Sequence, residues 1–380
     1  MVYLDNNATT PIDPAVSEKM SWFLKEHFGN PSSLYPIGRE VKKLITEARE
    51  TVADALGAMR SEIIFTGSGT ESDNFAIQGI MNAFPEKNEF ITSSIEHPAV
   101  IETASYLEKK GKKITFIPVD HYGNIDLEFL KKAISPKTAL ISVMYSNNEL
   151  GSIEPIKEVV KIAKEKEVLV HTDAVQAFGK IPCNVNKLGV DLLSISAHKI
   201  YGPKGIGALY IRKGTKILPL ICGGQQERNL RAGTENTAGI IALGEAVRIF
   251  QTKGDKDLKQ INKLADRLKK GIEERIPRAI FNGPEKNRVK STLSFSFTGM
   301  EAEAILLALA SKEIYVSTGS ACSEDSEDVS HVLSSIGLKP EVARSTLRLS
   351  LGRFNNDGDV SRVLSELPEI IEKLRNISGL

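Results

Sequence analysis

Apolar residues recur along the chain at two different spacings. Between residues 41 and 56 they follow a helical period that stops at Gly57, which predicts an amphipathic helix ending at that glycine. Asp13 followed by Pro14 predicts the start of an earlier helix, because aspartate caps helix N-termini and proline fits the first turn. From about residue 13 to residue 250, helical signals of this kind alternate with short apolar runs.

The short apolar runs between these helices predict strands. They are IIF at 63–65, EFIT at 89–92, KITFIPV at 113–119, ALISVMY at 139–145, VLVH at 168–171 and DLLSIS at 191–196. Runs of this length and composition are typical of parallel strands buried between helices. The repeated strand–helix unit therefore predicts an α/β fold with a large, doubly wound, mostly parallel sheet.

The pattern changes near residue 257. Apolar residues at 258, 261, 264, 268, 272 and 276 form one face of a long charged helix, and the strand-like STLSFSF at 291–297 follows. We therefore predict a large domain over residues 12–256 and a smaller α+β C-terminal domain over residues 257–380, joined by residues 1–11.

Composition and charge narrow the classes of function. The chain has 380 residues, of which 41% are hydrophobic and 26% charged, as in ordinary globular proteins. Its formal net charge is +1, so no overall field draws it to nucleic acid or to an acidic membrane. The N-terminal MVYLDNNATTP lacks the apolar core of a signal peptide, and the longest apolar run, residues 304–310, is too short to span a bilayer. We expect a cytoplasmic protein without direct nucleic-acid or membrane partners.

The chain contains three cysteines, Cys183, Cys222 and Cys322. Their wide spacing gives neither a paired disulfide framework nor the close pair typical of a zinc site. This usage fits a reducing compartment, and we expect no bound metal.

Polar, chemically capable residues follow most of the predicted strands. These segments are TGSGTESDN at 66–74, EHP at 96–98, SNNE at 146–149, TDAVQ at 172–176 and AHK at 197–199. In a doubly wound sheet, ligands bind beyond the carboxyl ends of the strands, so we expect these segments to meet at one site.

The TGSGTES segment is a candidate phosphate site. Its small residues allow backbone N–H groups at a helix start to approach an anion. A dinucleotide fingerprint is less well matched, because Ser72 stands in place of the third glycine, and no Walker A motif occurs. A plain strand-to-helix turn is the alternative.

Lys199 follows a predicted strand and precedes the turn-forming GPKGIG. A lysine withdrawn from bulk water can form a Schiff base with an aldehyde, and pyridoxal phosphate (PLP) would supply one. That cofactor also needs a carboxylate at its pyridine nitrogen, for which Asp173 is the candidate, and a ring stacked on it, for which His97 is the candidate. Taken singly, His97 fits a structural histidine and Asp173 a helix cap, but together they constrain one another.

Across essentially its whole length, the chain resembles the cysteine desulfurases of the NifS/IscS group. These are class V aminotransferase relatives and fold-type-I PLP-dependent transferases. The resemblance is carried, in order, by YLDNNATTP at 3–11, GNPSS at 29–33, TESDN at 70–74, IEHPAV at 95–100, NNELG at 147–151, HTDAVQ at 171–176, SAHKIYGPKGIGALYI at 196–211, GGQQE at 223–227, RAGTEN at 231–236, STGSAC at 317–322 and RLSLGRFN at 348–355.

The resemblance implies a role for each matching site residue. Lys199 would carry the Schiff base, Asp173 would pair with the pyridine nitrogen, and His97 would stack on the ring. Gln176 and Asn148 would hydrogen-bond near the phenolic oxygen. The phosphate would be bound by Gly69, Thr70, Ser196 and His198.

The resemblance also implies a homodimer and a route for sulfur. Thr234 would reach the phosphate in the partner subunit, and Arg353 would bind the substrate carboxylate with help from Asn148. Cys322 would be the nucleophile, with Lys199 and His97 transferring protons, so that L-cysteine yields L-alanine and a persulfide on Cys322. An iron–sulfur scaffold or another acceptor protein would then receive the sulfur.

Two other functions remain open at this point. Selenocysteine lyase, or another lyase or transferase of the same fold, would share Lys199, Asp173 and His97, whereas the run of small polar residues that carries Cys322, which we expect to form a mobile loop, favours a desulfurase. A non-catalytic sulfur carrier or scaffold is the second alternative, and the intact set of Lys199, Asp173, Cys322 and Arg353 argues against it.

Overall fold

The structure is a computed structural model that describes residues 1–318 and 329–378. Its helices are Pro14–Glu26 (α1), Pro36–Leu56 (α2), Gly69–Ala83 (α3), Pro98–Lys109 (α4), Leu127–Ala133 (α5), Ile156–Lys164 (α6), Val185–Leu188 (α7), Gln226–Asn229 (α8), Thr237–Arg275 (α9), Ala302–Ala310 (α10), His331–Ser335 (α11), Pro340–Ala343 (α12) and Asp357–Ser378 (α13). Its strands are Val2–Tyr3 (β1), Ile63–Thr66 (β2), Glu89–Ser93 (β3), Lys113–Ile117 (β4), Thr138–Ser142 (β5), Leu169–Asp173 (β6), Leu192–Ser196 (β7), Gly207–Ile211 (β8), Ala279–Asn282 (β9), Thr292–Phe297 (β10), Ile314–Tyr315 (β11), Ser317–Thr318 (β12) and Thr346–Ser350 (β13).

The local signals for the first two helices are confirmed. Asp13 caps α1, because its side chain accepts a hydrogen bond from the N–H of Ala15. Helix α2 ends where Gly57 adopts a left-handed conformation with φ of 67°, which a residue without a Cβ atom adopts at little cost.

A seven-stranded sheet forms the centre of the large unit, in the order β2-β8-β7-β6-β5-β3-β4. Strands β7, β6, β5, β3 and β4 pair in parallel, which confirms the mostly parallel α/β fold. Strand β8 is antiparallel to both β7 and β2. As a result β2 runs in the same direction as β7, and its carboxyl end reaches the same edge of the sheet.

Two details of the strand prediction are wrong. The run at 63–65 was expected to pair in parallel, but β2 pairs antiparallel with β8, a strand that the sequence analysis did not separate from the preceding loop. The run at 113–119 was expected to be buried, but β4 lies at the edge of the sheet, where Lys113 and Phe116 are exposed.

Helices cover both faces of this sheet, as the alternation along β2 illustrates. Ile63 and Phe65 belong to the hydrophobic cluster that includes α1, α2 and the first part of α9, whereas Ile64 belongs to the cluster formed with α3 and α4. Burial on both faces leaves the ends of the strands as the natural place for polar groups.

The C-terminal part builds a second, antiparallel sheet in the order β12-β13-β10-β9. The second half of α9, with α10 and α13, packs on it. Helix α9 begins at Thr237 rather than near residue 258 and runs without interruption to Arg275. The domain division at residues 256 and 257 stays a prediction, and it would fall inside this helix. No helix in the described part of the chain is both long enough and apolar enough to cross a membrane.

Candidate active site

A cavity of about 710 Å³ lies at the carboxyl ends of the large sheet's strands. It brings together nine of the residues that the sequence analysis selected, which are Gly69, Thr70, His97, Asn148, Asp173, Gln176, Ser196, His198 and Lys199. These residues come from five separate segments of the chain. Their convergence follows from the common direction of the strands that precede them.

Lys199 follows β7 through one 3₁₀ turn, Ala197–Lys199. Its Nζ atom donates hydrogen bonds of 2.6 Å to the backbone carbonyls of both Asn7 and Ala8. The N-terminal motif YLDNNATTP therefore forms one side of the lysine's environment, a role that the sequence analysis did not assign to any of its residues.

Asp173 ends β6, and its Oδ1 atom accepts a hydrogen bond of 2.8 Å from the N–H of Val175. Burial raises the pKa of Asp173 to about 6, although the Val175 hydrogen bond and the positive charge of Lys199 oppose that rise. A buried carboxylate with a raised pKa is suited to a protonated ring nitrogen, because an opposite charge at close range stabilises its ionised form.

His97 is the N-cap residue of α4, and its Nδ1 atom accepts a hydrogen bond of 3.1 Å from the N–H of Ala99. Burial, together with the positive charges of Lys199 and His331, lowers the pKa of His97 to about 4. The ring is therefore neutral near pH 7, and its orientation is fixed by the helix that it caps. A neutral aromatic ring held in this way can stack on a flat cofactor, and its Nε2 atom, which carries the proton while Nδ1 accepts from Ala99, can donate a proton.

The first turn of α3 offers an anion site. Ser68 caps the helix through its Oγ atom, which accepts from the N–H of Glu71. A Cβ atom on Gly69 would lie 2.7 Å from Cγ2 of Val175, so the close approach of this turn to the Asp173 loop depends on glycine. Thr70 and Ser196 line the same space and add hydroxyl groups, which suits a phosphate at a helix N-terminus.

Several carboxylic acids also line this cavity, and burial keeps their negative charge low. Burial raises the pKa of Glu96 to about 8 and that of Glu149 to about 7. Burial and the nearby Asp173 raise the pKa of Asp73 as well. Protonation of Glu96, and of part of Glu149, near neutral pH makes the cavity compatible with an anionic phosphate and a substrate carboxylate.

The structure does not bring Arg353 into this cavity. Arg353 lines a separate space of about 40 Å³, where Nη1 lies 2.8 Å from Oδ2 of Asp13 and Nε lies 2.8 Å from Oδ2 of Asp257. Its guanidinium also stacks over the ring of Tyr201. Two carboxylates and an aromatic ring already occupy this guanidinium, which corrects the prediction that it binds the substrate.

Arg348 lines the large cavity instead. It lies on β13, its side chain is 5% exposed, and its Nη2 atom is 2.8 Å from Oδ1 of Asp5. Its Nε atom has no hydrogen-bond partner in the part of the chain that the structure describes. The sequence analysis included Arg348 in the RLSLGRFN motif but gave it no role.

Two further predicted residues lie apart from this cavity. Thr234 is exposed and lines a space of about 180 Å³ beside Gly67 and Arg231. Cys322 lies outside the described residues. Of the other cysteines, Cys183 is buried and Cys222 is exposed.

The described residues fit PLP. A lysine amine, a buried carboxylate, a neutral ring and a helix N-terminus all face one cavity, and each matches a different part of the cofactor. The small Gly69 at the first turn of α3 keeps that turn close to Ser196, whose Cβ atom would be 3.5 Å from a Cβ atom on Gly69.

Comparisons with known proteins agree with this chemistry. Residues 2–363 match the aminotransferase class-V family. The cysteine desulfurase IscS of Dictyoglomus turgidum is 53% identical over 99% of this chain and 96% of that protein. The cysteine desulfurase IscS of Methanosarcina thermophila is 50% identical over 100% of this chain and 94% of that protein. A solved NifS-like protein superposes with a TM-score of 0.93 at 41% identity, covering 98% of this chain and 100% of that one. The chain therefore belongs to the aminotransferase class-V family and, within it, to the PLP-dependent cysteine desulfurases of the NifS/IscS group.

Proposed function

We propose that this protein converts L-cysteine to L-alanine and takes the sulfur onto Cys322 as a persulfide. The observation that carries the proposal is the convergence of Lys199, Asp173 and His97 on one cavity, in a chain half identical to cysteine desulfurases along its whole length. When bound, PLP supplies an electron sink that weakens bonds at the substrate's Cα and Cβ atoms.

The described residues would hold the cofactor by its separate parts. Asp173 would pair with the ring nitrogen, and His97 would lie against the ring. Gln176 and Asn148 would face the phenolic oxygen. The first turn of α3, with Gly69 and Thr70, would bind the phosphate together with Ser196 and His198.

Protons and the substrate carboxylate would be handled by nearby groups. The Nζ atom of Lys199 would take the proton from the substrate's Cα atom, and the neutral ring of His97, whose Nδ1 atom accepts from Ala99, would donate a proton from Nε2. Arg348 would bind the carboxylate, because a guanidinium forms paired hydrogen bonds with a carboxylate and Arg348 lies in the cavity beside Asn148.

The sulfur step balances without an external oxidant or reductant. The thiolate of Cys322 would attack the substrate sulfur, so that a sulfur–sulfur bond forms and the substrate's carbon–sulfur bond breaks. The carbon fragment keeps the electron pair, takes up a proton and leaves as L-alanine. A reductant or an acceptor thiol then removes the sulfur from Cys322.

The proposed protein is a homodimer located in the cytoplasm. Thr234 is exposed and lies outside its own subunit's large cavity, which supports a role at the phosphate of a partner subunit. The acceptor would be an iron–sulfur scaffold or another sulfur-receiving protein.

The test is to incubate the protein with L-cysteine and a reductant and to measure alanine and sulfide together. We expect equal amounts of both, lost in Cys322→Ser and in Lys199→Ala. Cys222→Ser is the matched control, because Cys222 is an exposed free cysteine outside the site, and it should keep full activity. A Cys322→Ser variant with unchanged sulfide release from L-cysteine would remove Cys322 from the mechanism. A marked preference for L-selenocysteine would favour a selenocysteine lyase.

A further inference from the structure

Lys180 lies directly behind the residues that surround Lys199. Its Nζ atom donates hydrogen bonds of 2.8 Å to Oδ1 of Asn7 and 2.7 Å to Oε1 of Gln176. Lys180 is not among the residues that line the large cavity, and it contacts the smaller space of about 40 Å³. Any effect of Lys180 on the large cavity is therefore exerted through the two amides to which it donates.

These hydrogen bonds fix which way both amides face. In its ammonium form Lys180 has donors only, so its two partners present oxygen to it. The Nε2 atom of Gln176 is then turned to donate to the backbone carbonyl of Asn7 at 2.9 Å. One N–H of this amide remains for the cavity that Gln176 lines. Reversal of the amide would set its NH₂ group against the Lys180 amine.

Asn7 links Lys180 to Lys199, because its side chain accepts from Lys180 and its backbone carbonyl accepts from Lys199. The Asn7 carbonyl that accepts from Gln176 also accepts from the Nζ atom of Lys199 at 2.6 Å. The Asn7 side chain donates to the carbonyl of Asn148 and to Oγ1 of Thr292. Lys180 thereby connects Asn7 of the N-terminal segment to Gln176 of the segment after β6, and the Asn7 side chain connects both to strand β10. The Asn7 backbone carbonyl lies at the centre of these contacts.

The electrostatic setting explains why a lysine here would have a specific role. Burial, with the positive charges of Lys199 and Arg348, lowers the pKa of Lys180 to about 7. Burial of an amine beside two other cations is unfavourable. The two short hydrogen bonds to amide oxygens offset part of that cost and favour the ammonium form.

From this network we infer that Lys180 is a positioning residue: it orients the Gln176 amide so that an N–H points at the phenolic oxygen of bound PLP, and it holds the Asn7 carbonyl against Lys199. The inference rests on the proposed function, in which PLP occupies the large cavity. It concerns the cofactor's affinity and electronic state and assigns Lys180 no contact with the substrate.

The test is a double-variant cycle read by PLP binding and by the visible absorption band of the bound cofactor. Lys180→Met keeps the length of the side chain but loses both hydrogen bonds. We expect it to weaken PLP binding about tenfold and to move the absorption maximum, because the phenolic oxygen loses an oriented donor. In a Gln176→Ala background the same change should have much less effect, since the amide that Lys180 orients is already gone.

Two further variants keep the outcome interpretable. Lys187→Met is the matched control, because Lys187 is exposed on α7, and it should leave affinity and spectrum unchanged. Lys180→Arg keeps the donors and should retain most of the affinity for PLP. If Lys180→Met does not fold, Lys180→Arg is compared with Gln176→Ala instead. Additive effects of Lys180→Met and Gln176→Ala, or a wild-type affinity and spectrum in folded Lys180→Met, would overturn the inference. Failure of the unaltered protein to bind PLP would instead count against the proposed function.

Discussion

The two arginines of the RLSLGRFN motif have opposite surroundings, and substitution should separate them. In Arg348→Met we expect the KM for L-cysteine to rise about tenfold or more, because the substrate carboxylate loses a charged hydrogen-bonding partner in a buried cavity. In Arg353→Met we expect KM to stay near its wild-type value, because this side chain is already paired with Asp13 and Asp257. Steady-state kinetics with L-cysteine as the varied substrate measures both.

Arg353→Met should instead lower the free energy of unfolding. Its loss leaves Asp13 and Asp257 mostly buried without their partner, which costs about 3 kcal/mol for a buried ion pair. The exposed pair of Lys290 and Asp266 is the matched control, and Lys290→Met should cost less than about 1 kcal/mol. A raised KM in Arg353→Met with an unchanged KM in Arg348→Met would reverse our assignment of the two arginines.

At the level of single residues, the sequence predicted positions that directly follow strands better than positions within them. Lys199, Asp173 and His97 come at or just after strand ends, where the chain direction itself brings them to the cavity. Arg348 lies inside β13, between Leu347 and Leu349, which face the core of the second sheet. Strand alternation was the available signal, since residues 346, 348 and 350 share the opposite face.

At the level of elements, caps and short apolar runs predicted the helices and most of the strands. Asp13 and Gly57 mark ends that the structure reproduces. The reversal at β8 was missed, because an apolar run carries no information about the direction of its neighbour. The start of α9 was missed for a related reason: its first part is buried almost all round and so lacks the polar stripe that a helical period needs.

His97 caps helix α4 and is also the residue proposed to stack on PLP and transfer a proton. Two substitutions should separate the structural role from the proposed catalytic one. His97→Asn keeps a side-chain oxygen for the helix cap but removes the ring, so we expect up to tenfold weaker PLP binding with little change in stability. His97→Phe keeps a ring but loses the acceptor for the Ala99 N–H, so we expect a stability loss of about 1 kcal/mol with PLP affinity largely kept.

Cofactor titration by visible absorbance and thermal unfolding of the cofactor-free protein measure these two effects separately. Both variants should turn over L-cysteine more slowly, since neither retains the imidazole Nε2–H group that would donate a proton. If His97→Asn bound PLP as tightly as the unaltered protein, the ring would have no stacking role.

At the level of the whole molecule, a net charge of +1 conceals an uneven distribution of ionisable groups. Burial raises the pKa of several acids, including Glu96, Glu149 and Glu154, into the range of about 7 to 8. The folded protein therefore binds more protons at these sites than the unfolded chain does near neutral pH. Buried histidines such as His97 and His171 have lowered pKa values and act in the opposite sense, but only below their ordinary pKa of 6.5.

Glu154 offers the cleanest measurement of this effect, because it is 1% exposed and does not line the large cavity. Burial raises its pKa from 4.5 to about 7, against hydrogen bonds from Ser152 and the Ile125 N–H. Between those pH values the folded state holds a proton that the unfolded state has released, so the stabilising contribution is complete below about pH 4.5 and is lost as pH rises through 7. Relative to Glu154→Gln, which cannot ionise, the unaltered protein should lose about 3 kcal/mol of unfolding free energy between pH 4.5 and pH 8.

Urea unfolding of both proteins across this range gives the difference, with Glu158→Gln, a substitution at an exposed position, as the control. A difference for Glu154→Gln that stays flat across the range, or that grows toward low pH, would mean that Glu154 is ionised in the folded protein despite its burial.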